Sequence, residues 1–384
     1  MNLKIAIIGL SVTSSWGNGH ATTYRALIEA LARRGHRITF LERDAPWYRN
    51  HRDLKAPSDW AVRLYQSLPE LSRRFGKLIH DADLVIVGSY VPDGLAIAEW
   101  VTSHAQGITA FYDIDTPVTL AKLDTRTTHL SRAMIPRFDL YLSFTGGPVP
   151  QMIEQAYGSP LARVLYCSAD PDIHRPSVVE RKWSLGYLGT YSDDRQPTLD
   201  QFLLTTARAL PERAFAVAGA QYPSDISWPS NVDRIEHLPP STHASFYSQQ
   251  DFTLNITRRE MRVLGYSPSV RLFEAAACGT PVISDRWPGI DSVFMPSKEI
   301  LLASDAQDVV RLLKEMPEEK RREIGEQARR RVLADHTPAH RARQLETYYL
   351  EAKCHRPRAA SALLHVQPTQ NRSTSAVQLL REVP

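Results

Sequence analysis

Ser267-Pro-Ser-Val-Arg-Leu-Phe-Glu-Ala-Ala-Ala-Cys-Gly-Thr-Pro-Val-Ile-Ser-Asp285 decides how the chain is read. Pro268 suits the first turn of a helix, and Ser267 before it suits an N-cap. Gly279 stops that helix and Pro281 keeps it from resuming. Val282 and Ile283 then open a short buried strand that ends at Ser284 and Asp285. A helix N-terminus carries N–H groups without intrahelical partners and a partial positive charge, so it can hold a phosphate. Arg271 lies in the first turn. Glu274, one turn on, can accept two hydrogen bonds from a diol. Phosphate grip and diol grip together suit a nucleotide. The same pattern also describes a plain amphipathic helix with Leu272, Phe273 and Ala276 in a core.

The chain has 384 residues, 43% hydrophobic and 23% charged, with a net charge of +4. This is ordinary globular composition with room for two or three domains. The arginines are scattered until the C-terminal helices, which excludes the dense basic face of a nucleic-acid binder. Cys167, Cys278 and Cys354 lie far apart, and no pair has metal-ligand spacing. That points to a reducing compartment, and we expect a cytoplasmic protein. No signal peptide is evident at the start, and no apolar run approaches the ~20 residues of a membrane span.

Working outward, two α/β halves emerge. Lys4 to Gly9 reads as a first buried strand, followed by the polar loop Ser11 to Gly19 and a helix Ala21 to Arg34. Arg37 to Glu42 is the second strand. This is the opening unit of a doubly wound parallel sheet. Residues 44–59 read as a loop over the sheet, with helix from there to Ile79. Further strands fall at 83–88, 108–112, 139–143 and 163–166. The pattern restarts at Leu185 to Gly189, with strands at 214–218, 232–237 and 252–255 before the opening stretch. We therefore expect a domain over 1–168, a proline-bearing linker over 169–183, a second domain over 184–353 and a disordered tail over 354–384. Two such sheets facing one another leave a ligand cleft.

Four constellations would face that cleft. Gly17-Asn-Gly-His20 places small residues and a histidine at a helix N-terminus, where the dipole disfavours the imidazolium and leaves a neutral base. A capping histidine is the plainer reading. A dinucleotide fingerprint would need glycine at Thr22, although Glu42 stands where its acidic residue would fall. Asp113 and Asp115, spaced by one residue, suit a divalent cation, the orientation of His20, or a simple turn before Pro117. Leu188-Gly-Thr-Tyr-Ser-Asp-Asp-Arg195 is a glycine loop with a basic residue, and also fits a surface turn. Arg258 and Arg259 precede the phosphate-competent helix and suit a diphosphate. The run Lys320 to Arg331 reads as a solvated helix face, with weak peripheral membrane contact as the alternative.

Phe273-Glu-Ala-Ala-Ala-Cys-Gly-Thr-Pro-Val-Ile resembles the E-A-x-A-x-G-x-P-V signature of GT-B glycosyltransferases of the group 1 type. Leu254-Asn-Ile-Thr-Arg, Ser269-Val-Arg-Leu-Phe-Glu, Glu299-Ile-Leu and His336-Thr-Pro-Ala-His-Arg341 resemble the branch named after the spore-maturation protein CgeB. The resemblance runs from about 185 to 350 and is one of fold before that, where Gly17-Asn-Gly-His20 with Arg34-Gly-His36 resembles the glycine loop and first helix. It implies two Rossmann-like domains, a nucleotide sugar held mainly by the second and an acceptor held mainly by the first. It implies a final helix that crosses back to the first domain, and no required metal. By position, Glu274 would bind the ribose, and the amides near Ser269 and Val270, with Arg271, would meet the diphosphate. Gly189, Thr190, Arg195 and Arg258 would complete the donor site beside Gly17 and Gly19. The resemblance departs at Tyr266, where retaining relatives carry a second Glu that helps hold the donor sugar.

The expected activity is glycosyl transfer from a UDP- or GDP-type sugar to an acceptor hydroxyl, without further cofactor. His20, oriented by Asp113, would be the base if the enzyme inverts. The competing classes are a non-catalytic nucleotide- or glycan-binding member and an NAD(P)-dependent oxidoreductase.

Overall fold

A computed structural model describes residues 1–123 and 129–356. Seven strands build the first sheet: β1 (Lys4–Gly9), β2 (Arg37–Arg43), β3 (Ala61–Tyr65), β4 (Leu84–Gly88), β5 (Ile108–Asp113), β6 (Leu140–Ser143) and β7 (Ala162–Val164). All are parallel, in the order β3-β2-β1-β4-β5-β6-β7. Six more build the second: β8 (Trp183–Leu188), β9 (Phe215–Ala218), β10 (Val232–Ile235), β11 (Gln250–Asn255), β12 (Val282–Ser284) and β13 (Leu301–Leu302). These are also parallel, in the order β10-β9-β8-β11-β12-β13. Register follows the apolar runs: Ile5 pairs with Leu84, and Phe252 with Leu185. β4 and β5 are buried along their whole length, as strands covered on both faces must be.

Each sheet reverses its winding once, between β1 and β4 in the first and between β8 and β11 in the second. Loops leaving the carboxyl ends of strands at such a reversal spread apart and open a crevice. The chain after β1 therefore places Ser11–Gly19 there. After β8 it places Gly189 to Arg195, and after β11 it places Ile256 to Arg258.

Two expectations are corrected. Residues 61–65 were expected to be helical; they form edge strand β3, and the helix starts only at Leu68 behind a Ser67 cap. An edge strand is half exposed, so its apolar residues alternate weakly and blur into helical spacing. Ser267 is not the N-cap of the opening helix, which spans Val270–Ala277 behind Ser269. Tyr266 takes a φ of +52°. Ser267 precedes a proline, which disfavours helical backbone there. The expected tail beyond 356 lies outside the described residues, while Cys354 and His355 close the last helix, Pro338–His355.

That last helix joins the two halves. It packs on helix His20–Arg33 of the first half. Glu346 accepts from Arg34 at 2.8 and 2.6 Å and pairs with His36 Nε2 at 2.8 Å. The Leu3 N–H donates to His36 Nδ1, so the ring proton sits on Nε2 and points at the carboxylate. Arg341 is buried and donates to the Tyr166 and Cys167 carbonyls at 3.0 and 3.2 Å, where the first half ends. One apolar cluster runs from Tyr24 and Tyr112 through Leu345 and Tyr349 to Leu272 and Phe273.

Arg34, chiefly by its hydrogen bond, holds the Glu346 carboxyl down at about 2. A depressed carboxyl stabilises the fold above its unfolded value of about 4.3 and stops doing so as pH falls through the folded value. Glu346→Gln should therefore melt below wild type near neutral pH. The two melting curves should converge between about pH 4 and pH 2. Arg341→Ala leaves buried carbonyls without donors and should lower stability by at least about 1–3 kcal/mol in urea unfolding.

Candidate active site

Two adjoining cavities, of about 330 and 170 Å³, lie between the halves. Gly17, Gly19, Thr190, Val270 and Arg271 line both. His20, Asp115, Arg195 and Arg258 line the larger one. Gly189, His243, Tyr247 and Glu274 line the smaller one. The structure thus gathers every expected site residue except Asp113 around one cleft.

Asp113 and Asp115 go separate ways. Asp113 ends β5, is fully buried, and accepts from Tyr141 Oη at 2.5 Å and Thr119 Oγ1 at 2.8 Å. It neither lines the cleft nor contacts His20. Asp115 does both: its Oδ2 lies 3.9 Å from His20 Nε2, 3.6 Å from Arg258 and 2.9 Å from Tyr90 Oη. The expected partner of His20 is therefore replaced by the carboxylate two residues on. Alternation along an extended strand sends Asp113 into the core, and the turn after it sends Asp115 to the cleft. Tyr90, in the turn after β4, was missed; its place beside the reversal of the sheet was the available signal.

His20 opens helix His20–Arg33, and the Asn18 side chain accepts from its N–H at 3.1 Å. Burial lowers its pKa, Asp115 opposes this, and Arg258 lowers it further. The imidazole is thus neutral at neutral pH. Its Nδ1 has no hydrogen-bond partner among the described residues.

Across the cleft, Asn255 at the end of β11 holds the start of helix Val270–Ala277. Its Oδ1 accepts from Ser269 Oγ at 2.7 Å and from Arg271 at 3.1 Å. Arg271 also donates to the Leu188 carbonyl and lies 4.6 Å over the Tyr187 ring. Much of its guanidinium is therefore engaged within the protein. A side chain at Gly189 would meet Tyr187 Oη and the Arg271 guanidinium at under 3 Å and would have to displace them. Arg195 donates to the Thr190 carbonyl at 2.6 Å, yet its Nε has no partner among the described residues. Arg258 sits between Asp115 and Asp194, at 3.6 and 3.8 Å. Arg195 and Arg258 face the larger cavity beside the helix amides and the more fully engaged Arg271.

Glu274 is 3% exposed and receives Tyr247 Oη at 3.1 Å. His174 and His243 lie 3.5 and 3.6 Å from its two oxygens. Sequence reading missed both histidines, because they come from the linker and from helix His243–Ser248, far from Glu274 along the chain. Tyr266 does not line either cavity. Its ring is wedged between Gly147 and Gly289, where an added Cβ on either glycine would come within 2.5 and 2.1 Å of the ring. Glu42, the acidic residue a dinucleotide would need, instead accepts four hydrogen bonds from residues 11–13, at 2.6 to 2.9 Å. It ties down the glycine loop and offers nothing to a cofactor ribose.

Residues 195–347 match the family model described as glycosyl transferase-like. No curated protein sequence matches the chain. Among solved structures it is similar to sucrose-phosphate synthase from Thermosynechococcus elongatus, with a TM-score of 0.66 at 16% identity over 91% of this chain and 99% of that one. It is similar to HepE from Anabaena in complex with UDP and glucose, with a TM-score of 0.65 at 13% identity over 91% and 100%. It is also similar to an alpha-glucosyltransferase in complex with UDP-glucose and DNA containing an abasic site, with a TM-score of 0.67 at 12% identity over 91% and 100%.

The chain has the GT-B fold. The matched family segment covers β9 to β13, the helix that carries Glu274, the loop that carries Arg258 and most of the last helix. The GT-B cleft is the one lined by His20 and Asp115 on one wall and by Arg195, Arg258 and Ser269 on the other.

Burial pushes the Asp113 carboxyl up to about 7, against the hydrogen bonds from Tyr141 and Thr119. A carboxyl raised in the fold stabilises it below the unfolded value near 3.9, and that contribution is lost as pH rises through the folded value. Asp113→Asn should therefore melt above wild type at about pH 8, and the gain should disappear by about pH 4.

Proposed function

We propose that the protein transfers a sugar from a nucleoside-diphosphate sugar to an acceptor hydroxyl in this cleft. The observation that carries this reading is the cavity of about 330 Å³ with a neutral histidine–carboxylate pair on one wall and a helix N-terminus with two arginines on the other. Relatives of the same fold hold UDP or UDP-glucose, which supports a UDP-type donor here.

In this reading the diphosphate lies against the amides of Val270–Ala277, with Arg195 and Arg258 offsetting the charge that grows on it. Glu274 faces the ribose in the smaller cavity. His20 takes the proton of the acceptor hydroxyl through a ring nitrogen, and Asp115 stabilises the imidazolium that forms. The acceptor oxygen bonds the anomeric carbon as the bond to the diphosphate oxygen breaks, and the electron pair leaves with the nucleotide. A base so placed gives inversion. We place the protein in the CgeB-like branch and in the cytoplasm on the motifs and cysteine usage given above.

A second reading has its own support. Tyr266 stands where retaining relatives carry a donor-sugar carboxylate, and its ring packs between the two halves. A member that binds nucleotide for assembly would need no carboxylate there.

A thermal-shift series with UDP, GDP, NAD and NADP, followed by a donor-hydrolysis assay, separates these readings. The transferase reading expects a shift with UDP or GDP and release of nucleotide from its sugar. A shift without release would favour the binding member, and a shift with NAD(P) alone would overturn both. His20→Ala should lower kcat by about 10²–10⁴ while leaving the UDP-induced shift in place. With burial lowering the His20 pKa, kcat/KM of wild type should hold its plateau to below pH 6.5. Product that retains the donor's anomeric configuration would refute the role of His20 as base. Glu274→Ala should weaken UDP binding, and unchanged affinity would remove Glu274 from the ribose site.

A further inference from the structure

Three side chains from three separate elements meet at the closed side of the smaller cavity. His174 lies in the turn after Asp170, where its N–H donates to the Asp170 carbonyl at 2.7 Å. His243 opens helix His243–Ser248, and Glu274 lies in helix Val270–Ala277. One ligand atom from each lies within 4.8 Å of the others. His174 is 6% exposed and Glu274 is 3% exposed.

Their hydrogen bonding is incomplete in a specific way. The His243 ring uses Nε2 toward the Leu238 carbonyl at 3.2 Å. A carbonyl only accepts, so Nε2 carries a proton, and in the neutral ring the Nδ1 lone pair faces Glu274. Both ring nitrogens of His174, and Nδ1 of His243, have no hydrogen-bond partner among the described residues. Buried imidazole nitrogens without partners are costly and rare. The Glu274 carboxylate is offset either by a proton on a facing imidazole or by a metal ion held between the rings.

The spacing decides what kind of cation. His174 Nε2 lies 3.5 Å from Glu274 Oε1, and His243 Nδ1 lies 3.6 Å from Oε2. A direct N–H···O bond spans about 2.7–3.2 Å, so these contacts are longer than a well-formed hydrogen bond. Two ligands each about 2.0–2.1 Å from one ion stand about 3.4 Å apart at a tetrahedral angle. The surroundings also match a metal site. A ligating histidine commonly donates its other N–H to a backbone carbonyl, as His243 does to Leu238, and a ligating carboxylate is itself hydrogen-bonded, as Glu274 is by Tyr247.

We infer that His174, His243 and Glu274 form a binding site for one divalent transition-metal ion of the zinc class. Two imidazole nitrogens and one carboxylate oxygen suit Zn²⁺ or Co²⁺ far better than Mg²⁺ or Ca²⁺, which prefer oxygen. Three protein ligands leave a coordination position for a molecule from the cavity. The site shares Glu274 with the proposed ribose contact and lies away from Arg195 and Arg258. It would lock the linker turn at His174 to the second sheet's helices, whether or not the protein transfers sugar.

The test uses the full chain without nucleotide, so it stands apart from the transferase reading. Protein stripped with a chelator is reloaded with ZnCl₂ or CoCl₂, passed over a desalting column and assayed for metal by mass spectrometry. About one ion per chain should be retained, with a rise in melting temperature that MgCl₂ does not reproduce. His174→Ala and His243→Ala should each weaken zinc binding by at least about tenfold. If a variant fails to melt cooperatively, X-ray absorption on zinc-loaded wild type replaces it and should show imidazole ligation with nitrogen and oxygen at about 2.0 Å. Retention of no zinc by wild type, zinc binding unchanged in both histidine variants, or an absorption spectrum without imidazole would overturn the proposal.

Discussion

The cleft depends on where one helix begins. Val270–Ala277 can present its N-terminal amides to a ligand only if its first turn is fixed against the second sheet. Asn255 fixes it: a single side-chain oxygen at the end of β11 accepts from Ser269 and from Arg271, while its amide group donates to Ser284 at 2.9 Å on β12. The helix start is thereby tied to two neighbouring strands at the carboxyl edge of the sheet. Asp285 repeats the device one layer out, accepting from the Thr257 N–H and hydroxyl at 3.1 and 2.8 Å. These bonds are buried, where losing one partner strands the other. The cleft-facing end of the helix is held by polar contacts that a hydrophobic core could not aim.

A cleft also needs its two walls held in register, and here the chain uses three separate ties. The last helix brings Glu346 to Arg34 and His36, and Arg341 to the carbonyls at 166 and 167. The segment before the opening helix supplies the third: Tyr266 receives the Gly146 N–H at 2.9 Å through its carbonyl, and Ser267 pairs with Thr145 at 2.7 Å. This third tie lies directly beside the cleft. Its left-handed Tyr266 and the flanking glycines make it sensitive to substitution. Movement of one half against the other would have to pass through these contacts.

The alternation of strand and helix was legible because fully buried parallel strands are continuous apolar runs, and Leu84–Gly88 or Ile108–Tyr112 admit little else. The phosphate-competent helix was legible from its Pro and Gly punctuation. Edge strand β3 was not, since half of it faces outward. The site was legible where one loop carried it, as with Gly17 to His20, and obscure where side-chain direction mattered. Asp113 and Asp115 differ only in which way the backbone turns them, and no spacing rule carries that information. His174, His243 and Glu274 meet only after the linker has folded against two helices. The Arg-rich run from Lys320 was read as solvated, but Arg321, Arg329 and Arg331 turn inward to Asp251, the Ala277 carbonyl and Glu299. Helical periodicity gives a face, not its partner.

The placement of Tyr266 bears on how a donor sugar could be held. Where the sequence resemblance implies a carboxylate, this chain has a ring set between Gly147 and Gly289, and it lines neither cavity. A carboxylate in place of that ring would lose the ring's packing against both glycines and with it part of the tie between the halves. The carboxylate that does reach the larger cavity is Asp115, on the opposite wall, already set between His20, Tyr90 and Arg258. In the proposed transfer, contacts to sugar hydroxyls would come from the first half as well as the second. In the proposed reaction this would couple donor binding to closure of the cleft: Asp115 would meet a sugar anchored on the Val270 helix only while Tyr266 and the last helix hold the walls together.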